Sequence, residues 1–145
     1  EDLGGMDVAR KLLILARTAG LPMELDDIAV APLLPDELRN VSLDAFWRGL
    51  NTLSKKIQVR HERARAASKT LVYLASLDKG RATVGLADVD PSHPAASLEG
   101  TENVFAFTTE RYQTEPLVIR GAGAGTEVTA CGIFADILQA CKENG

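Results

Sequence analysis

Residues 69–89, KTLVYLASLDKGRATVGLADV, hold the pattern that decides the fold class. KTLVYLASL and RATVGLADV each alternate with the period of two that a strand requires, and they meet at Asp78-Lys79-Gly80, where Gly80 can take the positive φ of a tight turn. This is a hairpin signal. Upstream, the apolar spacing is helical from Leu43 to about Ala67: Phe46, Trp47, Leu50, Leu53 and Ile57 alternate with Lys55, Lys56, Arg60, Glu62, Arg63 and Arg65. Gly49 and Asn51 are expected to divide that helix, Phe46 and Trp47 to be core aromatics, and His61 to be a solvated surface residue.

The segment DDIAVAPLLP, residues 26–35, reads as extended and is punctuated by Pro32 and Pro35, while Met6–Ala19 reads as a helix stopped by Gly20 and Pro22. Downstream, the turn-rich DVDPSHPAASLEGTEN leads to two more strand candidates, NVFAFTTE and PLVIR. An amphipathic helix follows from Thr126 to about Lys142, with Thr126 suited to the N-cap and Glu127 near the positive end of the helix dipole. Helices and strands in this order predict an α+β fold: a mostly antiparallel, mixed sheet covered by helices on one side.

With 145 residues and 46% hydrophobic content, the chain is expected to form one domain, 1–145, around a real core. Its 16 basic and 20 acidic residues leave a net charge of −4 with no block of one sign, which argues against nucleic acid or an anionic membrane surface as partner. No apolar run approaches the roughly 20 residues of a membrane span. A soluble, cytoplasmic protein is expected. Cys131 and Cys141 sit in one helical pattern about 15 Å apart along its axis, too far for a disulfide within one helix, and no Cys/His spacing suggests a metal.

The helix near the start of the chain carries the candidate chemistry. On a wheel of about 100° per residue with Asp7 at zero, Lys11 falls near 40° and Thr18 near 20°, between Ile14 and Leu15, with Arg10 and Arg17 to one side. Asp7 and Lys11 are therefore expected in a sector walled by aliphatics, beside the solvent face rather than at its centre. An ordinary i,i+4 pair contributes only about 0.2–0.5 kcal/mol. A pair retained in a sheltered place needs a further cause, and catalysis is one: a lysine exchanging a proton, with a carboxylate one turn away to orient it. Asp2 precedes Gly4-Gly5, whose missing side chains would let a ligand or another strand approach, so Asp2, Asp7 and Lys11 could converge on a small polar ligand with amine and hydroxyl groups.

DLGGMDVARKLLILAR resembles the D-L-x-G-x-D-V-A-R-K segment of homoserine dehydrogenases. SHPAASLEGTENVFAFTTERY is similar to that family's H-P-x-x-x-L-x-G-x-x-N segment, and PLVIRGAGAGTEVTACGIFADIL to its R-G-x-G-A-G-x-x-V-T-A-x-G segment, in the same order along the chain. The resemblance implies reversible NADP- or NAD-dependent interconversion of L-aspartate 4-semialdehyde and L-homoserine, in threonine, methionine and isoleucine biosynthesis. By the same resemblance Lys11 and Asp7 are the catalytic pair and Asp2, Asp7 and Lys11 bind substrate. It further implies a homodimer through the sheet, and a plastid location if the source is a plant. The family's N-terminal Rossmann domain has no counterpart in these residues, so the chain is expected to be a catalytic and dimerisation region, of a homoserine dehydrogenase or of a bifunctional aspartate kinase and homoserine dehydrogenase, that does not turn over alone.

RGAGAGTEVTA invites a dinucleotide-binding assignment, but the third glycine of G-x-G-x-x-G would fall at Thr126, and Glu127 would repel a pyrophosphate. Residues alone leave a tight turn as the alternative. The resemblance makes Gly121, Gly123, Ala124 and Gly125 a loop beside the nicotinamide, followed by a helix that packs on the nucleotide-binding domain and leaves part of its Val128, Cys131, Ala135 and Leu138 face exposed here or covered by a neighbouring molecule. His93 is expected to serve structure or an interface. The rival to an enzyme is a non-enzymatic α+β dimerisation or amino-acid-sensing module, which has no use for a desolvated Lys11.

Overall fold

The computed structural model describes residues 2–143, without the side chains of Asp2 and Glu143. Where composition led to one domain, the internal contacts fall into two compact units, Glu1–Pro91 and Ser92–Gly145, dividing within the Asp90-Pro91-Ser92-His93-Pro94 loop. The fold class is α+β as expected.

In the first unit, α1 (Met6–Thr18) is followed by β1 (Ile28–Val30), α2 (Leu43–Ala66), β2 (Thr70–Asp78) and β3 (Arg81–Val89). The hairpin forms in full register from Thr70 opposite Val89 to Asp78 opposite Arg81. Its turn is Lys79-Gly80, with φ of 48° and 80°, so Lys79 as well as Gly80 takes the left-handed conformation that a two-residue turn of this hand demands. β1 adds parallel to β3, giving a mixed sheet in the order β1-β3-β2.

Period two sends Ile28, Val30, Tyr73, Ala75, Leu77, Ala82 and Val84 to one face, where they pack against Ala9, Leu12 and Ala16 of α1 and Met23. Two alanines on the buried stripe, Ala9 and Ala16, let the helix lie close to the strands. α2 covers the same face: Arg60 Nη2 donates to the Leu86 carbonyl at 2.9 Å, and its Nε lies 3.6 Å from Asp88, which shares the face of Val84. The opposite face, with Ala29, Val72, Leu74, Thr83 and Ala87, points away from both helices.

Two expectations for α2 are corrected. The helix runs unbroken through Gly49 and Asn51; Gly49 is used for packing, since a Cβ there would coincide with the Leu38 side chain. Trp47 is 57% exposed and not in the core, because the partly buried stripe follows Phe46, Leu50, Leu53 and Ile57, and Trp47 stands one position off it. Ser42 caps the start, its Oγ accepting from the Ala45 N–H. At the end Ser68 has φ 55°, and Lys69 N–H and Ser68 N–H close back on the carbonyls of Ala64 and Arg65.

The second unit holds β4 (Glu102–Phe107), β5 (Leu117–Ala122) and α3 (Thr126–Glu143). β4 and β5 form an antiparallel ladder of their own rather than extending the first sheet. The predicted β4 stops early, before Thr108, and β5 runs on through Gly121. Gly125 is the cap of α3, one residue ahead of Thr126, because its carbonyl accepts from the Thr129 N–H at 3.0 Å. α3 is less amphipathic than its pattern suggested: Val128, Ile133, Phe134, Ile137 and Leu138 are all exposed, over more than the ordinary apolar stripe of about 100°. Cys131 and Cys141 are free and exposed. No described helix is long and apolar enough to cross a membrane.

Candidate active site

α1 positions the two charged groups. Gly5 caps the helix at φ 75°, and its carbonyl accepts the Ala9 N–H, which fixes the first turn and with it the direction of Asp7. Lys11 Nζ lies 2.9 Å from Asp7 Oδ2, the pair one turn apart as the sequence requires. The expected shelter is corrected, however. Lys11 is 46% and Asp7 57% exposed, since the sheet takes the arc of Ala9, Leu12 and Ala16 and leaves the opposite arc, with Asp7 and Lys11 near its middle, facing outward. Ile14, one turn on from Lys11, is 63% exposed on the same arc. The wheel placed the residues correctly relative to one another; the error lay in assuming that every aliphatic on the helix turns inward.

Asp2, the third member of the expected cluster, has its side chain outside the described residues. The approach to Gly5 comes from the chain's own sheet: a Cβ there would coincide with the Tyr73 hydroxyl, which donates to the Ala31 carbonyl at 3.0 Å. Burial holds the Tyr73 pKa above that of an ordinary phenol.

In the second unit the glycine stretch follows β5. Gly123 N–H donates to the Thr101 carbonyl at 2.8 Å, Thr101 Oγ1 donates to the Ala124 carbonyl at 3.1 Å, and the Asn103 carboxamide fills the space where a Gly123 Cβ would stand. Gly125 has φ 146°. Gly121 is different: a Cβ there would meet nothing, so nothing within the described chain calls for glycine at that point of the strand.

Sequence reasoning overlooked the side chains that hold this loop's base. Arg120 donates to the Glu102 carboxylate, to Ser97 Oγ at 3.1 Å and to the Ser97 carbonyl at 2.7 Å. The signal was two opposite charges that become diagonal neighbours only once β4 and β5 are in register. Arg120, and then the Glu99 N–H, lower the Glu102 pKa from 4.5. A carboxylate depressed in the folded state stabilises above its unfolded pKa and loses that contribution as pH falls through the folded value. Glu102→Gln is therefore expected to be less stable than the parent sequence at neutral pH, and the difference in Tm to close as the pH drops below about 4.5. His93 caps the short helix that follows it, its Nδ1 accepting from the Ala95 N–H at 3.1 Å.

The family model described as homoserine dehydrogenase matches residues 1–138. The chain belongs to the homoserine dehydrogenase family. The chloroplastic bifunctional aspartokinase/homoserine dehydrogenase 1 of Zea mays is 43% identical over 142 residues, which are 96% of this chain and 15% of that protein. A homoserine dehydrogenase of Schizosaccharomyces pombe is 39% identical over 96% of this chain and 38% of its own length. Among solved structures, a Candida auris protein of unknown function superposes with a TM-score of 0.83 at 43% identity, covering 97% of this chain and 40% of that one. The chain thus spans less than half the length of each, and the Asp7–Lys11 helix, the His93–Asn103 segment and the glycine loop all lie within the homoserine dehydrogenase match.

Proposed function

We propose that the chain is the catalytic and dimerisation portion of a homoserine dehydrogenase, interconverting L-aspartate 4-semialdehyde and L-homoserine with NADP or NAD in amino-acid biosynthesis. The observation that carries this reading is the 2.9 Å pair of Lys11 and Asp7 on an outward arc of α1 that also carries exposed Ile14, in a chain of this family. A lysine tip, a carboxylate and an open aliphatic side chain make one wall of a site that the rest of a longer polypeptide completes and dries.

The nicotinamide, when bound, delivers hydride to the aldehyde carbon or takes it from the alcohol carbon. Lys11 Nζ donates a proton to the aldehyde oxygen as the alkoxide develops, and takes it back in the reverse direction. Asp7 accepts a hydrogen bond from Lys11, holding the ammonium in register, and Asp2 binds the substrate amino group. Gly121, Gly123, Ala124 and Gly125 pass beside the nicotinamide. Gly121 fits that use, being a strand glycine whose missing side chain leaves open space on a loop otherwise fastened to β4.

The sheet face of Val72, Leu74 and Ala87 is assigned to a second copy of the chain, and the broad apolar surface of α3 to the nucleotide-binding domain of the parent polypeptide. Cytoplasm, or plastid in a plant, is the compartment. Oxidation of NADPH or NADH on addition of aspartate semialdehyde tests the whole reading: the parent polypeptide is expected to turn over and the isolated 145 residues not to. The exposure of Lys11 and Asp7 favours one rival, a dimerisation or amino-acid-sensing module in which they are an ordinary surface pair.

A further inference from the structure

The geometry points to Thr101 and Asn103 as positioning residues that set the path of the Gly121–Gly125 loop, and through it the affinity for the nicotinamide cofactor. This rests on the loop's assignment to that cofactor.

The loop is held unevenly along its length. Gly121 is held by its backbone pairing with Asn103 and Gly125 by the first hydrogen bond of α3, but a Cβ at either would touch nothing, so no side chain packs on the loop at its ends. Its middle, in contrast, is fastened on three sides by one short stretch of β4 and the residue before it. The Thr101 carbonyl accepts from Gly123 N–H, continuing the β4–β5 ladder one step beyond the Glu102–Ala122 pair. The Thr101 hydroxyl then reaches past that bond to the next peptide and donates to the Ala124 carbonyl. That second bond has no counterpart in a plain strand pair. It turns the Ala124 carbonyl toward β4, and so decides which groups of the following peptide remain available on the loop's outer side.

Asn103 closes the third side. Its carboxamide occupies the volume of a Gly123 side chain, so glycine at 123 lets the amide stack directly on the loop backbone, and any larger residue there would push Asn103 away. Neither Thr101 nor Asn103 touches a reacting atom. Both act by holding backbone, a device that suits a loop required to present peptide groups to a flat ring.

The test uses the full parent enzyme, in three versions: unaltered, Thr101→Val and Thr101→Ser. Valine keeps the shape and deletes the donor; serine keeps the donor. The expected result is a rise of about five-fold in the Kd for NADPH or NADH, read by titration without substrate, and in its KM in Thr101→Val, the size that loss of one intramolecular hydrogen bond of about 1 kcal/mol from the loop allows, with the KM for aspartate semialdehyde unchanged and Thr101→Ser close to the unaltered enzyme. A purely structural hydroxyl would lower Tm and change all kinetic constants together, and that pattern overturns the inference. So does a Thr101→Val enzyme with unchanged cofactor KM. An unaltered parent enzyme that oxidises no NADPH or NADH at all marks failure of the functional reading instead, so the two failures are distinct. Asn103→Ala gives a second readout in the same direction, again confined to the cofactor constants, and an effect on the KM for aspartate semialdehyde alone would contradict its assignment.

Discussion

In the parent polypeptide, Lys11→Ala is expected to lower kcat by about two orders of magnitude, the usual loss when a positioned general acid is removed. Stability is expected to change little. Lys11 is about half exposed and its ion pair is with Asp7, so in structural terms the substitution gives up no more than about 0.5 kcal/mol, the worth of a surface i,i+4 pair. This contrast makes the experiment decisive between the two functional readings. An ordinary surface pair predicts a small change in Tm and none in rate; a proton donor predicts a large change in rate and almost none in Tm or in dimerisation, since Lys11 lies on α1 and the dimer is assigned to the far face of the sheet. Steady-state kinetics and a thermal melt on the same preparation read both.

Gly5→Ala is expected to destabilise the fold by about 3 kcal/mol, from two independent costs. An L-residue forced into the left-handed region gives up about 1–2 kcal/mol, and a methyl group placed in occupied space costs about 1–3 kcal/mol more. Both apply at Gly5, with φ 75° and the Tyr73 hydroxyl standing where its Cβ would be. Against a typical total of about 5–15 kcal/mol this is a large fraction, and urea denaturation would show it as a clear fall in midpoint. Pairing it with Tyr73→Phe separates the two costs. Removing the hydroxyl relieves the collision but not the backbone strain, so the double variant is expected to be more stable than the sum of the single changes predicts. Strict additivity would mean that Tyr73 does not press on Gly5.

These cases show what could be read from the residues. The hairpin was legible because alternation over 69–89 and a turn ending in glycine agree at every position, and pairing then leaves one register that buries Ala82 and Val84. α1 was legible in extent, and the spacing of Asp7 and Lys11 fixed their contact before any coordinates. Its orientation was not. A helix with aliphatics on nearly every side can present more than one face to a sheet, and the small side chains of Ala9 and Ala16 decided it by allowing the closest approach. The same difficulty misplaced Trp47. Gly49 looked like a break because propensity penalises glycine in a helix, whereas contact with distant Leu38 overrides that penalty. In the second unit, the strands and the glycine run were visible, yet the Arg120, Glu102 and Thr101 contacts depend on strand register and had no local signature.

For Lys11 to act as proton donor it must meet the oxygen that gains or loses a proton. A crystal structure of the parent enzyme with homoserine bound measures this directly: the predicted separation between Lys11 Nζ and the substrate hydroxyl is about 2.6–3.2 Å, with Asp7 still beside the amine. Homoserine bound elsewhere, with Lys11 and Asp7 paired in open solvent as a surface contact, would contradict it.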